Sequence, residues 1–319
     1  MNNFLKWLDS GTAEQRNKKR FTFYLILVTA ALLIITLLTL AIMGIVNAVK
    51  SNNNGEDIEG GGTGNPNSGY VTATFGENAL YRGELINVDE SHPYNADANA
   101  DIERVTIEAG RAKSPDGGNL YSSNALDKFA QKIALDQLNK MLLDFYAQTN
   151  DDNIWVCMDS GAIYTAGNTF ELCYTTGVSG APKPSITGVD EYTWIFDHAH
   201  EYGFIPLYES PEASTGTEED TPTDKTNIFR YVGEVHAEAF RTLKSKKHCN
   251  TFAQYLEYLR TETNNKSRLK VTVDKVNYEI CYLPADNILI FEKYKDNYTV
   301  SGDNMGGYIV TYNTTTAKN

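Results

Sequence analysis

The sequence predicts an α+β domain with an antiparallel sheet and packed helices, preceded by one transmembrane helix. Two observations predict the domain: helical and strand periodicities are mixed without strict alternation, and short strand-like runs dominate the chain after residue 268. A third predicts the membrane helix, because the run from Phe21 to Val49 contains no charged residue. About 20 apolar residues are enough to cross a bilayer.

The flanks of the apolar run predict its orientation. On the amino-terminal side only Asp9 and Glu14 oppose a group of basic residues, which are Lys6, Arg16, Lys18, Lys19 and Arg20. Cytoplasmic flanks carry the excess of Lys and Arg, so we expect the amino terminus in the cytoplasm. The predicted organisation is a basic tail at 1–20, a transmembrane helix at 21–49, a flexible linker at 50–69 and an extracytoplasmic domain at 70–319.

The charge of the chain excludes one class of partner. The formal net charge is −13, and the amino-terminal tail is basic, so the excess of acid lies in the predicted domain. Such a domain is repelled by nucleic acid and by anionic lipid. We therefore expect no nucleic-acid partner and a membrane contact through the single helix.

The four cysteines show no C-x-x-C spacing, so they predict neither a zinc ribbon nor a thioredoxin-type pair. Cys157 and Cys173 lie in two apolar runs that can form neighbouring strands. An oxidising exterior would permit a disulfide between them. Whether they form one stays open.

Local patterns predict the elements in chain order. Helical spacing predicts a helix over 125–148, on the apolar positions Leu126, Phe129, Ile133, Met141 and Phe145. Further helices are predicted at 191–202, ended by Gly203, at 235–243, and from Thr251, whose Gln254 completes a capping-box pattern. Strands are predicted at 70–75, 84–88, 154–158, 169–174, 269–273, 278–283, 288–292, 298–301 and 308–312.

Five stretches together carry a family resemblance. They are RGELINVDESHPYNAD at 82–97, YTWIFDHAHEYGFIPLY at 192–208, FRYVGEVHAEAF at 229–240, TFAQYLEYLR at 251–260 with NYEICYLPAD at 277–286, and YTVSGDNMGGYIVTY at 298–312. In this order they resemble the VanY-type D-alanyl-D-alanine carboxypeptidases, M15B-like zinc peptidases that trim peptidoglycan stem peptides. The resemblance implies the D,D-carboxypeptidase (LAS-type) fold and a place beside the bacterial cell wall.

The resemblance also implies where a zinc site would lie. Members of the family take a His and an Asp from an S-x-H-x-x-G-x-A-x-D segment, and a general base and a second His from an E-x-W-H segment. Zinc binds such imidazole and carboxylate ligands, and it keeps one position open for the water that attacks the peptide.

This chain departs from the family at each of those positions. Tyr164 stands at the first His, Glu171 at the Asp, Lys225 at the general base and Ile228 at the second His. A substrate-holding Arg of the family has no counterpart, because the segment 155–161 runs almost directly into Tyr164. The resemblance therefore implies that these four positions are vestigial, that no zinc cofactor is bound and that peptidase activity is lost.

The histidines leave a relocated zinc site open as an alternative. His198 and His200 are two residues apart, so a helix would point them in different directions, unlike an i, i+4 zinc pair. His236 is expected to be a scaffold residue held by a hydrogen bond. A relocated site would combine Glu171 with His198 or His236 and a loop carboxylate such as Asp224.

Three functions follow from these observations. The first is a tethered, non-catalytic domain that binds a peptidoglycan stem peptide or a cell-envelope protein. The second is an active zinc D,D-carboxypeptidase with relocated ligands. The third is a structural part of a membrane assembly that takes no small ligand. Retained scaffold stretches beside missing ligands favour the first.

Overall fold

The computed structural model describes residues 69–178, 183–208, 226–286 and 288–315. Within these ranges no helix combines the length and the apolar character that a membrane crossing requires. The predicted tail, the predicted transmembrane helix and the predicted linker up to residue 68 lie outside the described residues, as do Asp224 and Lys225.

Thirteen strands lie within the described ranges. In chain order they are β1 (Tyr70–Thr72), β2 (Arg104–Thr106), β3 (Ser122–Ser123), β4 (Phe129–Gln131), β5 (Ile154–Cys157), β6 (Thr169–Tyr174), β7 (Phe204–Pro206), β8 (Ile228–Tyr231), β9 (Leu269–Val273), β10 (Val276–Pro284), β11 (Leu289–Phe291), β12 (Tyr298–Gly302) and β13 (Gly307–Asn313). The α-helices of the described ranges are α1 (Ile107–Gly110), α2 (Lys132–Thr149), α3 (Thr193–His198), α4 (Glu234–Ser245) and α5 (Phe252–Glu262).

A five-stranded sheet in the order β3-β5-β6-β8-β7 forms the first layer. All its neighbours are antiparallel except β3, which runs parallel to β5. The predicted antiparallel sheet is thus confirmed apart from one strand pair. The alternation along β5 buries Ile154 and Val156 on one face and leaves Trp155 and Cys157 half-buried on the other.

Two hydrophobic clusters hold the layers together. The first joins this sheet to α2 and α3 through residues such as Val156, Phe170, Leu138, Phe145 and Ile195. The second joins β7 and β8 to α4, α5 and an antiparallel sheet in the order β12-β13-β10-β9, through residues such as Ile205, Ile228, Phe240, Leu256 and Ile280. The sheet is therefore packed on both faces, as expected for an α+β domain.

Helix α2 begins later than predicted. Residues 129–131 form β4, which pairs with β2, and the helix starts at Lys132. Phe129 and Ile133, predicted on the buried face, are 56% and 50% exposed. The prediction of one continuous helix was wrong, because pairing with β2 satisfies the backbone of 129–131 that a helix would otherwise use.

Two predicted helix boundaries are confirmed. A 3-10 turn at 199–202 follows α3 and ends at Gly203, whose φ of +81° is readily adopted by glycine. At the start of α5 the Thr251 hydroxyl accepts a hydrogen bond from the Gln254 amide at 3.2 Å. This is the side-chain cap that the sequence pattern predicts.

The segment 84–88 is largely buried but forms no strand, contrary to the prediction. The Leu85 amide donates to Ser301 Oγ at 3.0 Å, and the Asn87 amide donates to the Asp303 carbonyl at 2.9 Å. The Ile86 carbonyl accepts a hydrogen bond from the Arg230 side chain at 2.6 Å. Because tertiary contacts satisfy its backbone, this apolar segment needs no strand partner.

Candidate functional site

Glu171 and Ile228, two of the four positions predicted from the zinc motifs, lie side by side on the five-stranded sheet. Glu171 on β6 pairs with Cys157 on β5 and with Ile228 on β8. Residues directly opposite each other on antiparallel strands point to the same face, so Cys157, Glu171 and Ile228 form a row across the sheet. We call these three residues the cross-strand row.

Tyr164 lies beside the cross-strand row. It ends the 3-10 turn at 162–164 that connects β5 to β6, and only 7% of it is exposed. Burial raises the pKa of its hydroxyl, and the negative charges of Glu171 and Asp159 raise that pKa further. Tyr164 is therefore a neutral phenol at ordinary pH, and a neutral phenol is a poor metal ligand compared with imidazole or carboxylate.

Neutral groups surround the Glu171 carboxylate. Asn227 Nδ2 donates to Glu171 Oε1 at 3.3 Å and to the Leu172 carbonyl at 2.8 Å. The Cys173 thiol donates to the same Oε1 at 3.8 Å. Asn227 precedes Ile228, so its amide lies next to the position that the resemblance assigns to a zinc-binding His.

The described residues at this place do not fit a zinc ion. Ile228 offers no donor atom, Tyr164 is a neutral phenol, and Glu171 alone cannot complete a ligand set. Across the described ranges, no group of three or more His, Cys, Asp or Glu side chains is arranged to hold a metal ion.

The histidines considered for a relocated site have other partners. His198 stacks on Trp194 with ring centres 4.5 Å apart, and its Nδ1 lies 3.0 Å from Glu201. Buried His236 contacts the Tyr255 hydroxyl through Nδ1 at 2.8 Å and the Thr311 hydroxyl through Nε2 at 2.9 Å. Both ring nitrogens of His236 are occupied, which confirms its prediction as a scaffold residue.

A cleft of about 410 Å³ opens beside Tyr164. Its wall includes Arg104, Lys128, Phe129 and Asp159. Arg104 Nη2 donates to the carbonyls of Phe129 at 3.2 Å and Thr165 at 3.0 Å. The cleft thus combines two basic side chains, one acidic side chain and an exposed aromatic ring.

The resemblance placed Glu171 and Ile228 in one site, but the sequence predicted neither Cys157 beside them nor the cleft. Arg104 and Phe129 are far from Tyr164 in sequence, and they come together only because β2 pairs with β4 and Arg104 reaches the turn after Tyr164. No local signal identified the cleft, because helical spacing predicted Phe129 on a buried helix face.

Comparisons with known proteins bear on the fold. Neither a protein-family model nor a curated protein matches the sequence. Among solved structures, the fold is similar to the vancomycin resistance D,D-dipeptidase VanXYg, solved in complex with a D-Ala-D-Ala phosphinate analog. The identity is 16% and the TM-score 0.54, over 76% of this chain and 98% of that chain. The described domain therefore has a fold similar to that of a D,D-dipeptidase, while the narrower VanY-type assignment stays a prediction.

Proposed function

We propose that this chain is a membrane-tethered, extracytoplasmic protein that binds a peptidoglycan stem peptide without hydrolysing it. The observation that carries the proposal is the pairing of Glu171 with Ile228. An aliphatic side chain stands where the resemblance places a metal-binding His, and the neighbouring Tyr164 is a neutral phenol. The scaffold is kept, but the donors that zinc hydrolysis needs are replaced.

The cleft supports a peptide ligand. Arg104 and Lys128 place positive charge on its wall, and a peptide that ends in a free carboxylate complements that charge. The Phe129 ring adds apolar area on the same wall. Pockets that combine apolar surface with a few oriented polar groups are the usual sites for small ligands.

The location rests on the sequence. The uncharged run at 21–49 and the basic tail before it support a single membrane-spanning helix with a cytoplasmic amino terminus. The Gly- and Asn-rich linker at 50–69 would then hold the domain off the bilayer, within reach of the cell wall.

The first test measures zinc and hydrolysis together. The full-length chain in mild detergent is analysed for bound metal and is incubated with a stem pentapeptide that ends in D-Ala-D-Ala. We expect no stoichiometric zinc and no released D-alanine. One tightly held zinc per chain together with D-alanine release would contradict the proposal and favour the relocated-ligand enzyme.

The second test measures binding of the same pentapeptide by calorimetry. Removing one charge from the cleft in Lys128→Ala should weaken binding by about threefold to tenfold, or roughly 1 kcal/mol. Lys246→Ala is the matched control, because Lys246 is exposed on the carboxyl-terminal side of α4 and away from the cleft lining. Unchanged affinity in Lys128→Ala would contradict the proposal that the cleft binds the peptide. Absence of binding by the native chain would contradict it as well.

One observation favours the assembly alternative. Phe129 and Ile133 expose large apolar side chains four residues apart, and such surfaces are common in protein contacts. Under that alternative the pentapeptide would not bind. A cross-linker placed at residue 133 would instead join the chain to one envelope protein in intact cells.

A further inference from the structure

Cys157 and Cys173 form a close cross-strand pair of thiols. Cys157 on β5 pairs with Glu171, and Trp155 pairs with Cys173 on β6, so both cysteines point to the same face, two positions apart along neighbouring strands. Both are free thiols, as are Cys249 and Cys281.

The strand register disfavours a permanent bridge between them. Diagonal neighbours on antiparallel strands have Cα atoms roughly 7–8 Å apart. A disulfide usually joins Cα atoms that are closer than about 7 Å, and wider pairs need backbone movement. The reduced pair is therefore the relaxed form of this sheet, and a bridge would bring strain that makes it easy to reduce again.

The two thiols differ in access. Cys157 is half-buried and can be reached from solvent, whereas Cys173 is 3% exposed. A dissolved disulfide would therefore meet Cys157 first, and Cys173 would act second, at short range.

We propose that Cys157 and Cys173 are a reversible thiol–disulfide exchange site that reacts with small disulfides of the glutathione type. The Cys157 thiolate attacks one sulfur of oxidised glutathione, the S–S bond breaks, and one glutathione thiolate leaves. The Cys173 thiolate then attacks Cys157 Sγ in the mixed disulfide and displaces the second glutathione thiolate. The two protons lost by the cysteines protonate the two leaving thiolates, so the protein is oxidised by two electrons and the glutathione disulfide is reduced.

The exchange site is coupled to the candidate functional site by direct contacts. The Cys173 thiol donates to Glu171 Oε1 at 3.8 Å and lies 3.6 Å from Asn227 Nδ2. A disulfide has no S–H donor, so oxidation removes the contact with Glu171. Drawing β5 and β6 together would also shift the cross-strand row, because Cys157 and Glu171 are direct partners.

The test maps cysteines after oxidation of the folded protein. The full-length chain in mild detergent is incubated with oxidised glutathione, acid-quenched, alkylated under denaturing conditions and analysed by peptide mass spectrometry. We expect a peptide pair joined through Cys157 and Cys173, with Cys249 and Cys281 alkylated. Dithiothreitol should restore alkylation of all four cysteines.

Two serine variants separate this pair from general oxidation. Cys249→Ser should still form the bridge, because Cys249 lies buried in a different cluster. In Cys157→Ser, Cys173 should stay a free thiol without a glutathione adduct. Full alkylation of the oxidised native chain, a lasting glutathione adduct on Cys157 beside free Cys173, or a bridge from Cys173 to another cysteine would each overturn the proposal.

Discussion

Glu171 and Ile228 are direct partners across the β6–β8 ladder, so a carboxylate stands beside an aliphatic side chain at the centre of the candidate site. Ile228 is only 4% exposed and belongs to the cluster that packs α4 and α5 against the sheet. The position that the resemblance assigns to a zinc-binding His thus contributes to the core. Substitutions at these paired positions therefore test the proposed loss of zinc directly.

Placing imidazoles at two positions that the resemblance assigns to zinc ligands should create zinc affinity. In the double variant Tyr164→His, Ile228→His, two imidazoles and Glu171 would converge as a three-ligand set with room for water. We expect zinc to bind at least about tenfold more tightly than to the native chain, measured by competition with a chromogenic chelator. The double variant Tyr164→Phe, Ile228→Val is the matched control and should gain no affinity for zinc. A folded double-His variant without added zinc affinity would mean that the three positions do not converge.

Acid should destabilise the domain partly through His236. Burial lowers the pKa of His236 to about 3. The unfolded state, whose His has a pKa near 6.5, therefore binds the proton first as the pH falls, and stability is lost from about pH 6.5 down towards pH 3. Between pH 7 and pH 5.5 this one group should remove about 1 kcal/mol from the free energy of unfolding.

Urea unfolding at those two pH values measures the effect. His236→Gln should show a smaller loss of stability on acidification than the native chain. His198→Gln is the matched control for replacing a histidine by glutamine, at a side chain that is 37% exposed. An unchanged pH dependence in His236→Gln would contradict this role for His236.

Arg230 should matter more for packing than for charge. It is 1% exposed, its side chain donates to the Ile86 carbonyl, and its guanidinium lies 4.5 Å above the Phe252 ring. Arg230→Ala leaves a cavity and an unpaired carbonyl, and should lower the free energy of unfolding by about 3–5 kcal/mol. Arg230→Met keeps most of the volume without a buried charge, so it should lose roughly half as much. If urea unfolding shows that Arg230→Ala and Arg230→Met lose the same free energy of unfolding, the charge itself is required.

Gly302 should tolerate no side chain. A Cβ at this position would overlap the carbonyls of Leu80 and Ala79, which are fixed backbone atoms. Gly302→Ala should therefore destabilise the domain by at least about 1–3 kcal/mol, measured by thermal unfolding. Gly76→Ala is the control, since nothing lies within 4 Å of its added Cβ. A Gly302→Ala variant as stable as the control would contradict the close packing at 79–82.

Sequence patterns predicted the elements that depend on local interactions. Short apolar runs predicted the strands at 154–157 and 169–174, and the Thr251 cap predicted the start of α5, because each depends on neighbours within a few residues. The predictions for 84–88 and 129–131 were wrong because partners distant in sequence determine the conformation of these segments. One is held by Ser301 of β12 and by Arg230, and the other by β2.

The candidate site was predictable only through the resemblance. No local rule connects Tyr164 with Ile228, but the family pattern placed them together, and the structure places both beside Glu171. The closeness of Cys157 and Cys173 was predicted from two apolar runs and is confirmed by their strand pairing. The cleft could not be predicted, because Arg104 and Phe129 reach it through contacts of long sequence separation.

The segment 84–88 also bears on how the domain folds. Leu85 is held by Ser301, 216 residues later, and Asn304 bonds back to Asn87, 217 residues earlier. Forming contacts between such distant residues requires closing a very long loop, which slows folding. Apolar surface stays exposed to solvent until the loop has closed. The first residues of the domain thus reach their native partners only after nearly the whole chain has been made. A chain cut short before β12 would leave Leu85 and Ile86 uncovered and become a substrate for proteases.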